Sequence, residues 1–268
     1  LHAVLIWDKK NSKYKSLFRL LKTIRNNKYE RVINVQRYFA TGFLTTFSGA
    51  KYTIGFDSNP LSFLFTHKIK HELNTTSKRH EVERNNDLIA SFTDEKFIKP
   101  RVYPSTLDFS KIKEYTEKTF VTISPTSVWF TKEFPKEKWI EFINKIDPNY
   151  NIYLLGGPDN KKDCEQIISS VNHKSIYNLA GTLSFLQSAA LMKSAKMNFA
   201  NDSAPVHFAS AMNAPVTAIF CSTVPSFGYG PLSDDAHIVE TQETLSCRPC
   251  GSHGKKECPQ KHFKCGFG

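Results

Sequence analysis

Short apolar runs alternate with amphipathic stretches along the chain from residue 119 onward. The runs are typical of buried strands and cover residues 119–124, 151–155, 176–177, 197–200 and 216–220. The stretches between them repeat apolar residues at helical spacing, which predicts helices at 135–146, 159–171 and 184–194 and another that ends near 212. Strands and helices that alternate at this length form right-handed crossovers and a parallel sheet. The second half is therefore predicted to be a Rossmann-like α/β domain.

The first half follows a similar but less regular pattern. Helical spacing at 14–24, 39–47 and 80–92 alternates with predicted strands at 31–35 and 52–56. Residues 99–118 are polar and interrupted by proline, so we place a domain boundary there and expect domains at 1–117 and 118–268. Two such α/β domains are expected to face each other across a cleft. Ligands of such sheets bind outside the carboxyl ends of the strands.

Composition narrows the function only slightly. The 268 residues carry 36 Lys and Arg against 25 Asp and Glu, a formal charge of +11 that favours anionic partners. The lysines are spread along the chain, so a general role in solubility explains them better than a specific anionic partner does. No apolar run approaches the roughly 20 residues that cross a bilayer. The apolar opening at 1–7 is followed at once by Asp8, which argues against a signal peptide. A cytoplasmic protein is expected.

Polar residues at 201–207 lie between a predicted strand and a predicted helix. Asp202 follows the strand, Ser203 is placed to cap the helix and Pro205 suits its first turn. The start of a helix presents unpaired N–H groups and a positive dipole end, which suit a phosphate. His207 lies one turn further on and can face the same ligand. The alternative is that Asp202 and Ser203 only cap the helix and that His207 is a core residue.

A second loop of this kind follows the predicted strand at 119–124. It carries the hydroxyls of Thr126 and Ser127 and the ammonium of Lys132, and Asp159 follows the next strand after a Gly-Gly-Pro turn. Several phosphate-ready loops on one sheet favour a nucleoside diphosphate ligand over a solvated surface. The chain contains no Gly-x-Gly-x-x-Gly and no Walker-type loop, which argues against a dinucleotide dehydrogenase or an ATPase.

These segments together resemble signatures of the ADP-heptose:lipopolysaccharide heptosyltransferase family, glycosyltransferase family nine. The resemblance is carried by Asn201–His207 with the alanines that follow, by Thr126–Pro135 with Trp139, and by Tyr52–Asp57. It extends in order over nearly the whole chain. The resemblance implies a GT-B fold, an inverting transfer without a catalytic metal, and an ADP-heptose donor. It also implies a phosphorylated lipid A core acceptor, with peripheral contact at the inner face of the membrane.

The resemblance also implies roles for individual residues. Lys132 would hold the diphosphate and Asp202 would contact the sugar hydroxyls. The phosphate would lie against Ser203, Ala204 and Pro205 at the start of the helix. The wall of the donor pocket would be formed by His207, Thr126 and Ser127. The ribose would be contacted by Asp159. Ala204 stands where the family more often has glycine, so we expect narrower donor access.

The catalytic base is expected outside this sequence. In the family resembled, an Asp after the first strand of the amino-terminal domain takes the proton, and residues 1–7 resemble a later strand. The base would therefore lie upstream of residue 1, and the amino-terminal domain would be incomplete. We do not assign Asp8 as the base, because it follows the wrong strand.

Four of the six cysteines fall in residues 247–265, which we call the cysteine-rich segment. Their spacing is Cys247-x2-Cys250-x7-Cys258-x6-Cys265, and the first pair is typical of a zinc knuckle. A structural zinc and an unmetallated loop both remain open. The other two, Cys164 and Cys221, are expected to be buried apolar thiols.

The leading functional interpretation is a nucleotide-sugar glycosyltransferase of the heptosyltransferase type. A member that has lost catalysis and only binds the nucleotide sugar is the first alternative. A nucleic-acid-binding protein with a zinc knuckle is the second. The basic residues are not clustered and no ladder of aromatic and basic residues is visible, so no nucleic-acid partner is expected.

Overall fold

The computed structural model describes residues 2–73, 78–94 and 96–268, and these form an α/β fold. The chain divides into two compact units. Of the described residues, the first unit contains 2–73, 81–94 and 96–97, and the second contains 78–80 and 98–268. The structure therefore differs from the predicted boundary after residue 117, because residues 98–117 belong to the second unit.

The first unit carries a parallel sheet of short strands with the order β1-β2-β3. Its elements are α1 (Lys13–Asn26), β1 (Arg31–Asn34), α2 (Phe39–Thr46), β2 (Tyr52–Phe56), β3 (His67–Ile69) and α3 (Glu81–Asp87). The core of this unit is built on Ile54, Phe56 and Leu88, which are almost completely buried. Sequence analysis missed β3, because it has only three residues and begins with two polar ones.

Two further expectations for the first unit need correction. The helix predicted at 80–92 ends at Asp87. Residues 2–7 lie outside any strand, so the apolar opening does not join the sheet that the structure describes. An apolar run alone does not make a strand, because the backbone also needs a paired neighbour.

The second unit is a larger parallel sheet with helices on both faces. Its elements are α4 (Thr106–Lys111), β4 (Phe120–Ser124), α5 (Lys136–Ile143), β5 (Asn151–Leu154), α6 (Lys161–Ile168), β6 (Ile176–Asn178), α7 (Phe185–Ser194), β7 (Asn198–Asn201), α8 (Ala204–Ala211), β8 (Val216–Phe220), β9 (Ala236–Glu240) and α9 (Lys264–Phe267). The strand order is β6-β5-β4-β7-β8-β9, and every pair is parallel.

Both faces of the second sheet are buried, which explains why its strands read as continuous apolar runs. Ile123 and Ile152 pack with Trp139 in one core, whereas Tyr153 and Val216 belong to another core. Each large apolar side chain buried in this way stabilises the fold by about 1.5–3 kcal/mol. The prediction of a parallel α/β sheet in this half is confirmed.

The segment that precedes β4 belongs to the second unit because it packs there. After Pro104, Ser105 and Asp108 form a reciprocal capping box that starts α4. Ile112 is 3% exposed in the core of the second unit, and the amide of Val102 donates to the carbonyl of Ala211. The prolines therefore precede a helix that is part of this unit.

The strand order fixes where a ligand can bind to the second sheet. Strands added after β4 extend the sheet first in one direction, through β5 and β6, and then in the other, through β7, β8 and β9. The order therefore reverses between β4 and β7. A crevice forms at the carboxyl ends of the strands at such a switch point, and it is the usual ligand site of open α/β sheets.

Among the described residues, no helix combines the length and apolar character needed to cross a bilayer.

Candidate functional site

Lys132 and Asp202 meet at the switch point of the second sheet. The Nζ atom of Lys132 lies 2.8 Å from Oδ2 of Asp202, and the two side chains are 16% and 8% exposed. Lys132 ends a short 3₁₀ turn in the loop after β4, and Asp202 directly follows β7. Because β4 and β7 are neighbours, their loops bring together two residues that sequence analysis assigned to one ligand.

Asn201, the last residue of β7, ties the two loops to each other. Its Nδ2 donates to the carbonyl of Pro125 at 2.8 Å, and its Oδ1 accepts from the amide of Phe134 at 2.9 Å. The side chain is completely buried, so both hydrogen bonds are shielded from water. The loop after β4 is therefore held at its two ends by one residue of β7.

Thr223, which follows β8, orients the carboxylate of Asp202. Its hydroxyl donates to Oδ2 of Asp202 at 2.6 Å, and Thr223 is 2% exposed. The amide of Asp202 donates in turn to the carbonyl of Ile219. Oδ2 thus receives both a hydroxyl donor and the Lys132 ammonium, which fixes the carboxylate between β7 and β8.

The amino terminus of α8 begins next to this pair. Ser203 occupies the N-cap position as predicted, but its hydroxyl donates to the carbonyl of Asn201 instead of accepting from a helix amide. The start of α8, with Ala204 and Pro205, is therefore not capped by a side chain. Uncapped amides and the positive dipole end favour a negatively charged ligand here.

His207 lies one turn into α8, four residues after the N-cap Ser203. Partial burial in its surroundings lowers the pKa of the imidazole below its ordinary value, and this effect exceeds the opposite effect of the nearby Asp202 carboxylate. The imidazole is therefore neutral at pH 7, when it can donate or accept a hydrogen bond without adding charge.

The other predicted contacts lie at different places around these loops. The amide of Ser127 donates to Glu133 at 2.8 Å, so this residue stabilises the loop that carries Lys132. Burial raises the pKa of Glu133. Thr126 borders a cavity of about 410 Å³ next to Trp139. Asp159 lies exposed in the turn after β5, and no hydrogen bond among the described residues joins it to the Lys132–Asp202 pair.

Comparison with known sequences decides the family. The sequence profile described as glycosyltransferase family 9 (heptosyltransferase) matches residues 17–262. The chain belongs to glycosyltransferase family 9. Among its curated relatives, lipopolysaccharide heptosyltransferase 3 of Escherichia coli is 25% identical over 229 residues, which are 80% of this chain and 66% of the relative. Lipopolysaccharide core heptosyltransferase OpsX of Haemophilus influenzae is 25% identical over 236 residues, 81% of this chain and 64% of the relative. This family 9 chain thus spans just under two thirds of the length of both relatives.

Solved structures of the family show the same fold. The ADP-heptose lipopolysaccharide heptosyltransferase II of E. coli aligns with a TM-score of 0.73 at 20% identity, over 92% of this chain and 78% of that one. The family 9 glycosyl transferase of Veillonella parvula aligns with a TM-score of 0.74 at 20% identity, over 87% and 69%. The predicted GT-B type of α/β fold is confirmed.

Sequence analysis missed the residues that hold the family 9 site together. Asn201 and Thr223 were not assigned a role, although both stand at the carboxyl end of a strand. The same rule that found Asp202 would have selected Ser222 and Thr223 after β8, where two hydroxyls follow an apolar run. Thr131, whose hydroxyl contacts Ser222 and Lys255, carries no such signal, because these partners are distant in sequence.

The four cysteines of the cysteine-rich segment border a single cavity. Cys247, Cys250, Cys258 and Cys265 all line a space of about 340 Å³. The set of four thiols suits zinc, but no three His, Cys, Asp or Glu residues in the described part of the chain are gathered closely enough to hold an ion. A structural zinc therefore stays a prediction.

The two remaining cysteines behave as the sequence predicts. Cys164 and Cys221 are buried free thiols, at 0% and 1% exposure. Burial raises the pKa of each to about 12, so both are protonated and act as apolar core residues.

Proposed function

We propose that this chain acts as an inverting glycosyltransferase that moves a heptose-like sugar from ADP-heptose to a lipopolysaccharide core acceptor. The observation that carries the proposal is the Lys132–Asp202 pair, which lies at the switch point of the second sheet beside the uncapped start of α8. Membership of glycosyltransferase family 9 supports the reaction class.

Departure of the nucleoside diphosphate is the step that these residues serve. Negative charge builds up on the diphosphate as the bond to the sugar breaks, so a cation and helix amides placed there bind the diphosphate of the donor and bind it more strongly in the transition state. In this proposal Lys132 turns from Asp202 to the diphosphate, and the uncapped start of α8 receives a phosphate. His207, being neutral, adds a hydrogen bond to the wall of the site.

Asp202 then becomes available to the sugar. The hydroxyl of Thr223 keeps the carboxylate in place when Lys132 leaves it. A fixed carboxylate accepts hydrogen bonds from sugar hydroxyls and selects donors that carry them at the right positions. Lys132 and Asp202 therefore contribute to the two halves of the donor, the leaving group and the transferred sugar.

We assign no catalytic base among the described residues. An inverting transfer needs a group that takes the proton of the acceptor hydroxyl. Asp8 is unsuited to this role, because Asn11 and Lys10 donate to its carboxylate. Hydrogen bonds from Asn11 hold the pKa of Asp8 below its usual range, which makes it a weaker base. The proposal gives the transfer step no metal.

The acceptor is proposed to be the phosphorylated core of lipid A at the inner face of the membrane. Support comes from the net charge of +11, which attracts phosphorylated and anionic surfaces. The names of the two curated relatives, lipopolysaccharide heptosyltransferase 3 and lipopolysaccharide core heptosyltransferase OpsX, also point to a lipopolysaccharide acceptor.

Thermal shift with a panel of ADP-, GDP- and UDP-sugars tests the proposal on this chain, because donor binding does not need the base. We expect ADP-heptose to raise Tm, as any ligand that binds only the folded state does. Donor binding without transfer to a lipopolysaccharide core acceptor would identify the alternative of a member that has lost catalysis. A flat response to all three nucleotide classes would contradict the proposal.

A further inference from the structure

The cysteine-rich segment lies against the loop that carries Lys132. The amide of Thr131 donates to the carbonyl of Lys255 at 3.1 Å, and the amide of Lys255 donates to the hydroxyl of Thr131 at 2.7 Å. Thr131 is only 1% exposed, so this reciprocal pairing is shielded from water. The residue before Lys132 is therefore joined to the residue after Gly254.

Gly254 makes room for the stem of the Lys132 side chain. A Cβ atom at this position would lie 2.7 Å from Cγ and 3.1 Å from Cδ of Lys132, and 3.2 Å from Oγ1 of Thr131. Real carbon atoms do not approach so closely, so an added methyl group would push the stem aside. Because the stem is flexible, the fold can absorb this shift, but the ammonium at its end would move away from Asp202.

The segment is also anchored at the carboxyl end of β8. Arg248 donates through Nε to the carbonyl of Cys221 at 2.7 Å and through Nη2 to the carbonyl of Thr223 at 2.8 Å. The amide of Cys250 donates to the carbonyl of Ser222 at 2.9 Å, and the hydroxyl of Ser222 donates to that of Thr131 at 2.9 Å. The backbone that holds Gly254 is thus fixed to the strand end that also orients Asp202.

We propose that Gly254 is a positioning residue for Lys132, and that the cysteine-rich segment thereby forms one wall of the donor diphosphate site. The inference rests on the proposed function, in which Lys132 holds the diphosphate. Gly254 itself touches no reacting atom in this account. Its missing side chain leaves a slot through which Lys132 reaches Asp202 or the diphosphate.

Gly251 offers a matched control within the same segment. Both glycines have a left-handed backbone, with φ of +77° at Gly254 and +88° at Gly251, so alanine carries a similar conformational strain at each. The added methyl group at Gly251 meets no atom within 4 Å. Any effect of Gly254→Ala beyond that of Gly251→Ala therefore reports on Lys132.

The test measures ADP affinity by isothermal titration calorimetry. It compares three single variants, Gly254→Ala, Gly251→Ala and Lys132→Ala, with the double variant that combines Gly254→Ala and Lys132→Ala. Misplacing a binding group by about 1 Å can cost up to about 100-fold, so we expect Gly254→Ala to weaken ADP binding by about 10- to 100-fold. Gly251→Ala should stay within about twofold of the parent. In the Lys132→Ala background, Gly254→Ala should have no further effect, because the group that it displaces is gone. Equal losses in the two glycine variants, or an undiminished loss in the Lys132→Ala background, would overturn the proposal.

A crystal structure of Gly254→Ala separates this inference from the proposed function. We expect the 2.8 Å contact between Lys132 Nζ and Asp202 Oδ2 to be broken in it. An unchanged contact would overturn the positioning role, whereas full ADP affinity in Lys132→Ala would overturn the proposed function. If Gly254→Ala does not fold, Thr131→Val tests the attachment of the cysteine-rich segment to the Lys132 loop, since it removes the hydroxyl that Lys255 and Ser222 contact. A parent-like Lys132 position and ADP affinity in Thr131→Val would then contradict the claim that the segment forms a wall of the diphosphate site.

Discussion

Thr223 donates its hydroxyl to Oδ2 of Asp202 at 2.6 Å, the same oxygen that faces the ammonium of Lys132. A carboxylate held by a neutral donor keeps its orientation when its cationic partner turns to a ligand. Thr223→Val should therefore weaken donor binding by about 5- to 30-fold, equivalent to the roughly 1–2 kcal/mol of a buried hydrogen bond. Titration calorimetry with ADP-heptose measures the loss. Thr217→Val, within β8 itself, is the control and should bind like the parent. Equal affinity in both variants would remove Thr223 from the site.

The second prediction concerns the stability of the ion pair. Removing Lys132 leaves the buried carboxylate of Asp202 without its cation, so Lys132→Ala should lower the free energy of unfolding by about 1–3 kcal/mol. Adding Asp202→Asn to that variant removes the unpaired charge and should recover part of the loss. Urea unfolding of the parent and the two variants measures this. A double variant less stable than Lys132→Ala would show that the pair does not carry the cost.

The third prediction is a pH effect that comes from His207. Because burial lowers the pKa of its imidazole in the folded chain, the unfolded chain takes up the proton first as the pH falls below the ordinary value of 6.5. His207 therefore lowers the free energy of unfolding at acid pH. It has no such effect at a pH well above the ordinary imidazole pKa of 6.5. The drop in Tm between about pH 8 and about pH 5.5 should be smaller in His207→Gln than in the parent. A variant with an equal or larger drop would contradict the lowered pKa.

Most strands of the second sheet could be predicted from sequence because both of its faces are buried. The strand predicted at 216–220 has the same limits as β8, and the helix predicted at 184–194 corresponds to α7, which Ser184 caps. By contrast, β9 is an edge strand with mixed exposure, and α4 follows prolines that suggested a linker. Local pattern therefore missed a strand whose residues are largely exposed and a helix that prolines precede.

The candidate site divides in the same way. Lys132 and Asp202 follow buried strands, so the rule on strand ends selects both from sequence. Their pairing depends on β4 and β7 being neighbours, which the order of elements alone does not give. Gly254 could not be selected, because its importance lies in a slot for a side chain far away in sequence.

The fourth prediction addresses the cysteine-rich segment. We expect protein purified without added metal to contain about one zinc per chain, the ratio for a single four-thiolate site. Cys258→Ser should lower that content, and Cys164→Ala, in the core away from the segment, should not. Elemental analysis measures the metal. Metal-free protein with the same Tm before and after chelation would show that the thiols form an unmetallated loop.

The most direct measurement is the affinity of ADP-heptose for Lys132→Ala, with Lys136→Ala as its control. Lys136 is an exposed lysine at the start of α5, so its removal changes the net charge equally without touching Asp202. The account predicts that Lys132→Ala binds ADP-heptose at least about tenfold more weakly than the parent. In the transfer reaction, the same variant should lose about 2–4 kcal/mol of transition-state stabilisation at the departing diphosphate. Lys136→Ala should bind as the parent does. Parent-like affinity in Lys132→Ala would contradict the claim that the Lys132–Asp202 pair is the donor site.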